Sequence, residues 1–161
     1  MKQLILIRHA KSSWELPIQD FDRILTPQGI KDANLVAASI VNHLPKDYVV
    51  WSSPANRAME TATIFAKNMK YPFTKILFNK DLYTFNEITL EKIIKSCAEE
   101  INCLIVFGHN EAITNFVNKF GDVYIENVPT SGFVHISFTS KGWKDINTGK
   151  IGKTVFPRDL K

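Results

Sequence analysis

Cysteine is scarce in this chain, with only Cys97 and Cys103 among 161 residues. Two thiols are too few for a disulfide framework, and they lack metal-ligand spacing. Both sit among apolar neighbours and read as buried thiols of a reducing compartment. Long hydrophobic runs are missing as well. No stretch approaches the roughly 18 apolar residues that a membrane helix needs, and the short run after Met1-Lys2 lacks the small-residue cleavage site of a secretory leader. A cytoplasmic location and no membrane partner are therefore expected. The net charge is +4, yet lysines and arginines are scattered. Without a basic run or an aromatic-rich RNA signature, nucleic acid is not an expected partner, while anionic substrates are favoured. No cage of carboxylates suits Mg²⁺, so neither metal nor other cofactor is expected. Repeats, low-complexity tracts and interdomain linkers are also absent, and residues 1–161 are expected to form one domain.

What is present alternates strand-like and helix-like patterns. Leu4–Ile7 is a continuous apolar run, suited to a strand buried on both faces of a parallel sheet. Residues 10–26 show no period and form a long loop, often a functional feature in a small domain. Thr26-Pro27 reads as a helix start, with threonine as cap and proline in the first turn. Ile30, Ala33, Ala37, Ile40 and Val41 then mark an apolar face running to about His43. Tyr48–Trp51 is a second strand. Ser52-Ser53-Pro54 again resembles a cap with a first-turn proline, before a helix to about Met69. Lys75–Phe78 is a short strand, followed by a helix from about Thr89 carrying Leu90, Ile93, Ile94, Cys97 and Ile101. Cys103–Phe107 is apolar throughout and so central, with a helix through Ile113, Phe116, Val117 and Phe120 behind it. In Phe133–Phe138 the period is two, predicting a strand with one wetter face near a sheet edge. A short final strand and a polar tail complete the chain. Strands alternating with helices predict an α/β three-layer sandwich, a mostly parallel sheet with helices on both faces.

Chemistry-bearing residues gather where these strands end. Arg8-His9 and Lys11 follow the first strand, Arg57 lies in the first turn after the second, and His109 follows the fourth. In open α/β sheets, ligands bind at the carboxyl ends of the strands. Two guanidiniums and two imidazoles would match a tetrahedral phosphoryl group, with the arginines on its oxygens. A neutral imidazole nitrogen can attack phosphorus directly, and a backbone carbonyl could hold the ring's other nitrogen as N–H. Glu60, three residues beyond Arg57, is positioned to brace it. His43, in the last turn of its helix, and His135, on an alternating strand, read as structural.

Taken in order, Arg8-His9, Leu25-Thr26 with Gly29, Ser52-Ser53-Pro54 with Arg57, Glu60-Thr61-Ala62 and Gly108-His109-Asn110 resemble the histidine phosphatase superfamily, the phosphoglycerate mutase-like fold. Arg8–Trp14, Asp20–Arg23, Asp81-Leu82-Tyr83 and Pro129–Gly132 resemble its small SixA-type branch, the phosphohistidine phosphatases. The resemblance implies His9 as the phosphorylated nucleophile, with Arg8, Arg57 and His109 as the phosphate pocket. It implies a phosphatase that uses no metal. Two departures stand out. Glu111 follows Gly-His-Asn where the family often has proline, and no carboxylic acid falls at a firmly matching position. Asp81 and Glu87 are the acid candidates in the connection before the third helix. An alkoxide leaving group needs a proton donor, whereas the P–N bond of phosphohistidine is already weak. Little chain is left for a lid, so the pocket should be open to a side chain presented by another protein. The expected activity is hydrolysis of protein phosphohistidine. The alternatives are a broad phosphomonoesterase on small phosphate esters and a non-catalytic module that binds phosphorylated partners.

Overall fold

The computed structural model describes residues 1–161. Six strands, β1 (Lys2–Arg8), β2 (Val49–Ser52), β3 (Leu77–Phe78), β4 (Cys103–Gly108), β5 (Phe133–Phe138) and β6 (Lys150–Val155), form one sheet in the order β3-β2-β4-β1-β5-β6. The first four are mutually parallel, and β5 and β6 run antiparallel to their neighbours. Alternate side chains leave opposite faces of each strand. Ile5, Ile7, Ile105 and Phe107 therefore pack with Ala33, Val36 and Ile40 of α1 (Pro27–Ile40) and Ala62 and Phe65 of α2 (Asn56–Met69). Leu4, Leu6, Leu104 and Val106 pack with Leu90 and Ile94 of α3 (Glu87–Lys95) and Ile113, Phe116 and Val117 of α4 (Ala112–Phe120) on the other side. The result is the expected α/β three-layer sandwich, and β1 and β4 are buried on both faces because they lie at its centre.

Helix starts match the sequence in one case and differ in two. Thr26 caps α1, its hydroxyl accepting from Gly29 N–H at 2.9 Å, with Pro27 in the first turn. The third helix begins at Glu87 rather than Thr89, because the Asn86 side chain accepts from Ile88 N–H at 2.7 Å. It ends at Lys95, leaving Ile101 outside it. Ser53 and Pro54 do not start α2, which opens at Asn56 after Ala55 without a side-chain cap. Ser53 N–H instead bonds Phe107 O at 3.0 Å, extending the β2–β4 pairing, and this frees the Ser53 hydroxyl for another partner. β5 is second from the edge, and only Ser137 on it escapes burial. The face expected to be wet is closed where His135 meets His43 at 2.9 Å and Gln3 at 2.7 Å. The two histidines are thus partners of each other.

Candidate active site

The register of the central strands builds the site. Arg8 lies opposite Gly108 in the parallel β1–β4 pair, and His9 N–H bonds Gly108 O at 3.0 Å. His9 and His109 therefore leave adjacent strands side by side, with ring centroids 5.2 Å apart. β2 flanks β4 on its other side, and its continuation into α2 brings Arg57 to the same point. Arg57 Nε donates to His9 Nε2 at 3.3 Å. Arg8, His9 and Arg57 line a cavity of about 430 Å³ that also reaches Lys11, Ser12, Trp14, Asp20, Arg23, Phe85, Asn110 and Thr130. His109 does not itself line it but stands against His9, so the four residues singled out from sequence are gathered at one place.

The His9 ring has a defined proton. His9 Nδ1 lies 2.7 Å from the carbonyl of Ala10, which can only accept, so Nδ1 carries the hydrogen and Nε2 the lone pair. Burial, with lesser repulsion from Arg57 and Arg8, pushes the His9 pKa down to about 3 and keeps the ring neutral. His109 Nε2 is 2.8 Å from Ser53 Oγ, which itself accepts from Ala55 N–H at 3.2 Å. The contact ties Nε2 to Ser53, and Nδ1 is left as a buried atom with no protein partner. Burial and then the charge field of His9 and Arg57 push the His109 pKa down to about 2. Arg8 anchors through Nη1 to Val128 O at 2.9 Å, while its buried Nε has no acceptor. Buried polar atoms without partners are rare, and here two of them belong to residues already grouped around His9.

Sequence reasoning missed what holds Arg57. Glu60 does not brace it, being occupied by Asn56 Nδ2 at 3.0 Å and Leu25 N–H at 3.4 Å. Asp20 does so from the long loop. Its Oδ2 accepts from Arg57 Nη2 at 2.9 Å and its backbone oxygen from Arg57 Nη1 at 2.7 Å. Tyr83 OH donates to the same Oδ2 at 2.5 Å, and Arg23 Nη1 to Oδ1 at 2.9 Å. Burial alone would raise the Asp20 pKa, but hydrogen bonds from Tyr83, Arg23 and Arg57 outweigh it and hold the carboxyl down at about 2. The available signal was a buried arginine needing a carboxylate, but nothing local ties residue 57 to residue 20.

The acid candidates stand elsewhere. Asp81 is exposed and borders a separate groove with Asn79, Ile88 and Lys92, while Glu87 is the first residue of α3 and does not line the cavity. Asp20 is the one carboxylate lining the cavity, and Glu111 lies at the N-terminus of α4, exposed, where its charge supports Arg8. No three His, Cys, Asp or Glu side chains converge in a way that would hold a metal ion.

Similarity to known proteins agrees with this geometry. Residues 4–99 match the histidine phosphatase superfamily (branch 1). An uncharacterized Mycobacterium leprae protein is 31% identical over 112 residues, 67% of this chain and 66% of that one. An uncharacterized Mycobacterium tuberculosis protein is 26% identical over 153 residues, 89% of this chain and 93% of that one. Among solved structures, the protein histidine phosphatase SixA complexed with tungstate superposes with a TM-score of 0.84 at 18% identity, covering 99% of both chains. A mycobacterial glucosyl-3-phosphoglycerate phosphatase gives 0.66 at 10% identity, covering 94% of this chain and 97% of that one. The chain belongs to the histidine phosphatase superfamily (branch 1), and its fold is that of the SixA phosphohistidine phosphatase.

Proposed function

We propose that this protein is a phosphatase acting on protein phosphohistidine through a phosphorylated His9. The carrying observation is the His9 ring, neutral and oriented with Nδ1–H on the Ala10 carbonyl and the Nε2 lone pair directed to Arg57. In this reading Arg8, Arg57 and the Nδ1–H of His109 hold the phosphoryl oxygens and offset charge in the transition state. His9 Nε2 forms the new P–N bond as the P–N bond to the substrate ring breaks. The substrate imidazole, already protonated by solvent on its other nitrogen, keeps the bonding pair and departs neutral. Water then attacks phospho-His9, Nε2 recovers its pair, and the oxygen and both hydrogens of the water leave with dihydrogen phosphate.

The choice of substrate rests on the lack of a poised acid. Nucleophile and leaving group are both imidazoles, so the first transfer is nearly symmetric and needs no proton donor at the breaking bond. A sugar or alkyl phosphate would need one. Asp20, the one cavity carboxylate, is held ionised by three hydrogen-bond donors. The cavity volume of about 430 Å³ and the exposure of Lys11 and Trp14 at it suit a side chain carried by another protein.

The test supplies the enzyme with a phosphohistidine-bearing protein and follows phosphate release. We expect turnover, with an acid-labile, base-stable phosphoryl label on the wild-type chain that His9→Ala lacks. Brisk hydrolysis of alkyl phosphates without phosphohistidine turnover would replace this reading by a phosphomonoesterase. Binding without label or release would make the protein a phospho-partner module.

A further inference from the structure

Two aromatic side chains at the cavity are not accounted for by phosphoryl transfer. Trp14 is 76% exposed and Phe85 51% exposed, yet both line the cavity that holds Arg8, His9 and Arg57. They come from separate connections, Trp14 from the loop after β1 and Phe85 from the segment before α3. Neither packs in the hydrophobic core.

The indole is held out by a built support. The Arg23 guanidinium lies 3.2 Å from the centre of the Trp14 ring. Arg23 is only 6% exposed, and its nitrogens are committed to Ser13 O at 3.0 Å, Asp20 Oδ1 at 2.9 Å and Ser12 Oγ at 2.5 Å. A buried arginine fixed from three directions thus backs an aromatic ring whose remaining surface faces solvent. Such a platform stabilises little by itself, because the burial that makes tryptophan useful in a core is absent. Phe85 is likewise anchored edge-on, 5.6 Å from the Tyr83 ring and 5.5 Å from His109. Aromatic surface therefore extends from the phosphoryl site outward.

We propose that Trp14 and Phe85 form a seat for a flat aromatic leaving group, taking the imidazole ring of the substrate phosphohistidine while its phosphoryl group meets His9. This deepens the function proposed above and rests on it for the identity of the ring. Stacking suits the ring for two reasons. Ring-on-ring contact is tolerant of orientation and strong for its area. The phosphorylated imidazole is also electron-poor when protonated, and aromatic faces attract such rings. A phosphorylated phenol shares the aromatic ring, whereas a leaving ammonia or acetate lacks one. Arg23 acts as a positioning residue, since its contact with a substrate is made through the indole.

The experiment compares kcat/KM of wild type, Trp14→Ala, Phe85→Ala and Trp14→Phe on four substrates: a phosphohistidine peptide, 4-nitrophenyl phosphate, phosphoramidate and acetyl phosphate. Phosphoramidate keeps the P–N bond and removes the ring, separating ring recognition from bond lability. We expect each alanine variant to lower the ratio of ring-bearing to ringless kcat/KM by about tenfold, mainly through KM, as loss of one stacked ring does elsewhere. Trp14→Phe should restore most of that ratio. An unchanged ratio, whether from equal losses on all four substrates or from none, overturns the seat. If wild type ignores the phosphohistidine peptide but hydrolyses 4-nitrophenyl phosphate with a Trp14-dependent ratio, the phosphohistidine reading fails and the aromatic seat stands.

Discussion

Single side chains in this protein act through the protons and charges they assign to one another. Ser53 does not line the cavity, but its hydroxyl meets His109 Nε2 at 2.8 Å and so orients the ring. Ser53→Ala is expected to free Nε2 and let the ring adopt either tautomer. That should lower kcat by about tenfold to a hundredfold, the cost of losing an oriented donor in the transition state, and Ser53→Thr should restore much of it. Single-turnover rates together with the ¹⁵N chemical shifts of His109 check both parts; unchanged shifts in Ser53→Ala would refute the role. Asp20 makes a second case. Removing its charge in Asp20→Asn weakens the hold on Arg57 and should lower kcat/KM by about tenfold to a hundredfold, within the range for hydrogen bonds to charged groups. Because the carboxyl is held ionised near pKa 2, the loss should be equal for phosphohistidine and for an alkyl phosphate. A loss confined to the ester would make Asp20 a proton donor instead. Asp20 itself was visible in the sequence as part of Asp20–Arg23, but its partner Arg57 lies 37 positions away, beyond the reach of any local pattern.

The helices and strands were legible to differing degrees, for reasons that lie in their ends. Apolar runs on β1 and β4 and the 3.6-residue stripe on α1, α2 and α4 are intrinsic to the chain, and these elements form where the pattern places them. Boundaries depend on which group finally satisfies an end. Ser53 looked like a cap, yet its backbone joined the sheet and its hydroxyl turned to a histidine. Asn86 reads from sequence as part of the connection, yet its side chain caps α3. Gly29 combines both lessons. A Cβ there would collide with the backbone carbonyl oxygen of Lys11, so the first turn of α1 lies directly against the segment that follows His9. Gly29→Ala should therefore destabilise the fold by about 1–3 kcal/mol, the usual cost of overpacking, despite alanine being the better helix former. Chemical denaturation measures it, and an equal or higher midpoint than wild type would refute the close contact. The same variant should reduce activity more than its stability loss implies, because Lys11 lines the cavity.

At the scale of the whole molecule, the sandwich buries neutral histidines at two separate places. His9 and His109 stand at the strand ends, and His135 pairs with His43 on the α1 side of the sheet. Burial lowers the His135 pKa from its usual 6.5 to about 4, with the charge field of His43 adding to it. A depressed folded-state value means that the unfolded chain binds the proton first as pH falls. Stability is thus fully present above about pH 6.5 and drains away toward about pH 4, by about 3 kcal/mol for His135 alone. Urea midpoints on either side of that window check it, and His135→Gln should flatten part of the slope. A midpoint independent of pH would contradict buried neutral rings. The proposed reaction also uses only groups of this chain, so exhaustive chelation should leave phosphate release unchanged, and loss of activity restored by added metal would overturn that.

The sequence by itself determined the layered α/β class, the identity of the two central strands and the four residues of the candidate phosphoryl site. All of these follow from local pattern: apolar runs, helical period, and polar residues placed just beyond strand ends. Tertiary structure alone decided the tautomer of His9, the Ser53 contact of His109, the partner of Arg57, the position of the Trp14 platform and the absence of Asp81 and Glu87 from the cavity. These depend on hydrogen bonds and packing between segments dozens of residues apart, and such contacts are formed only when the sheet register sets the segments side by side.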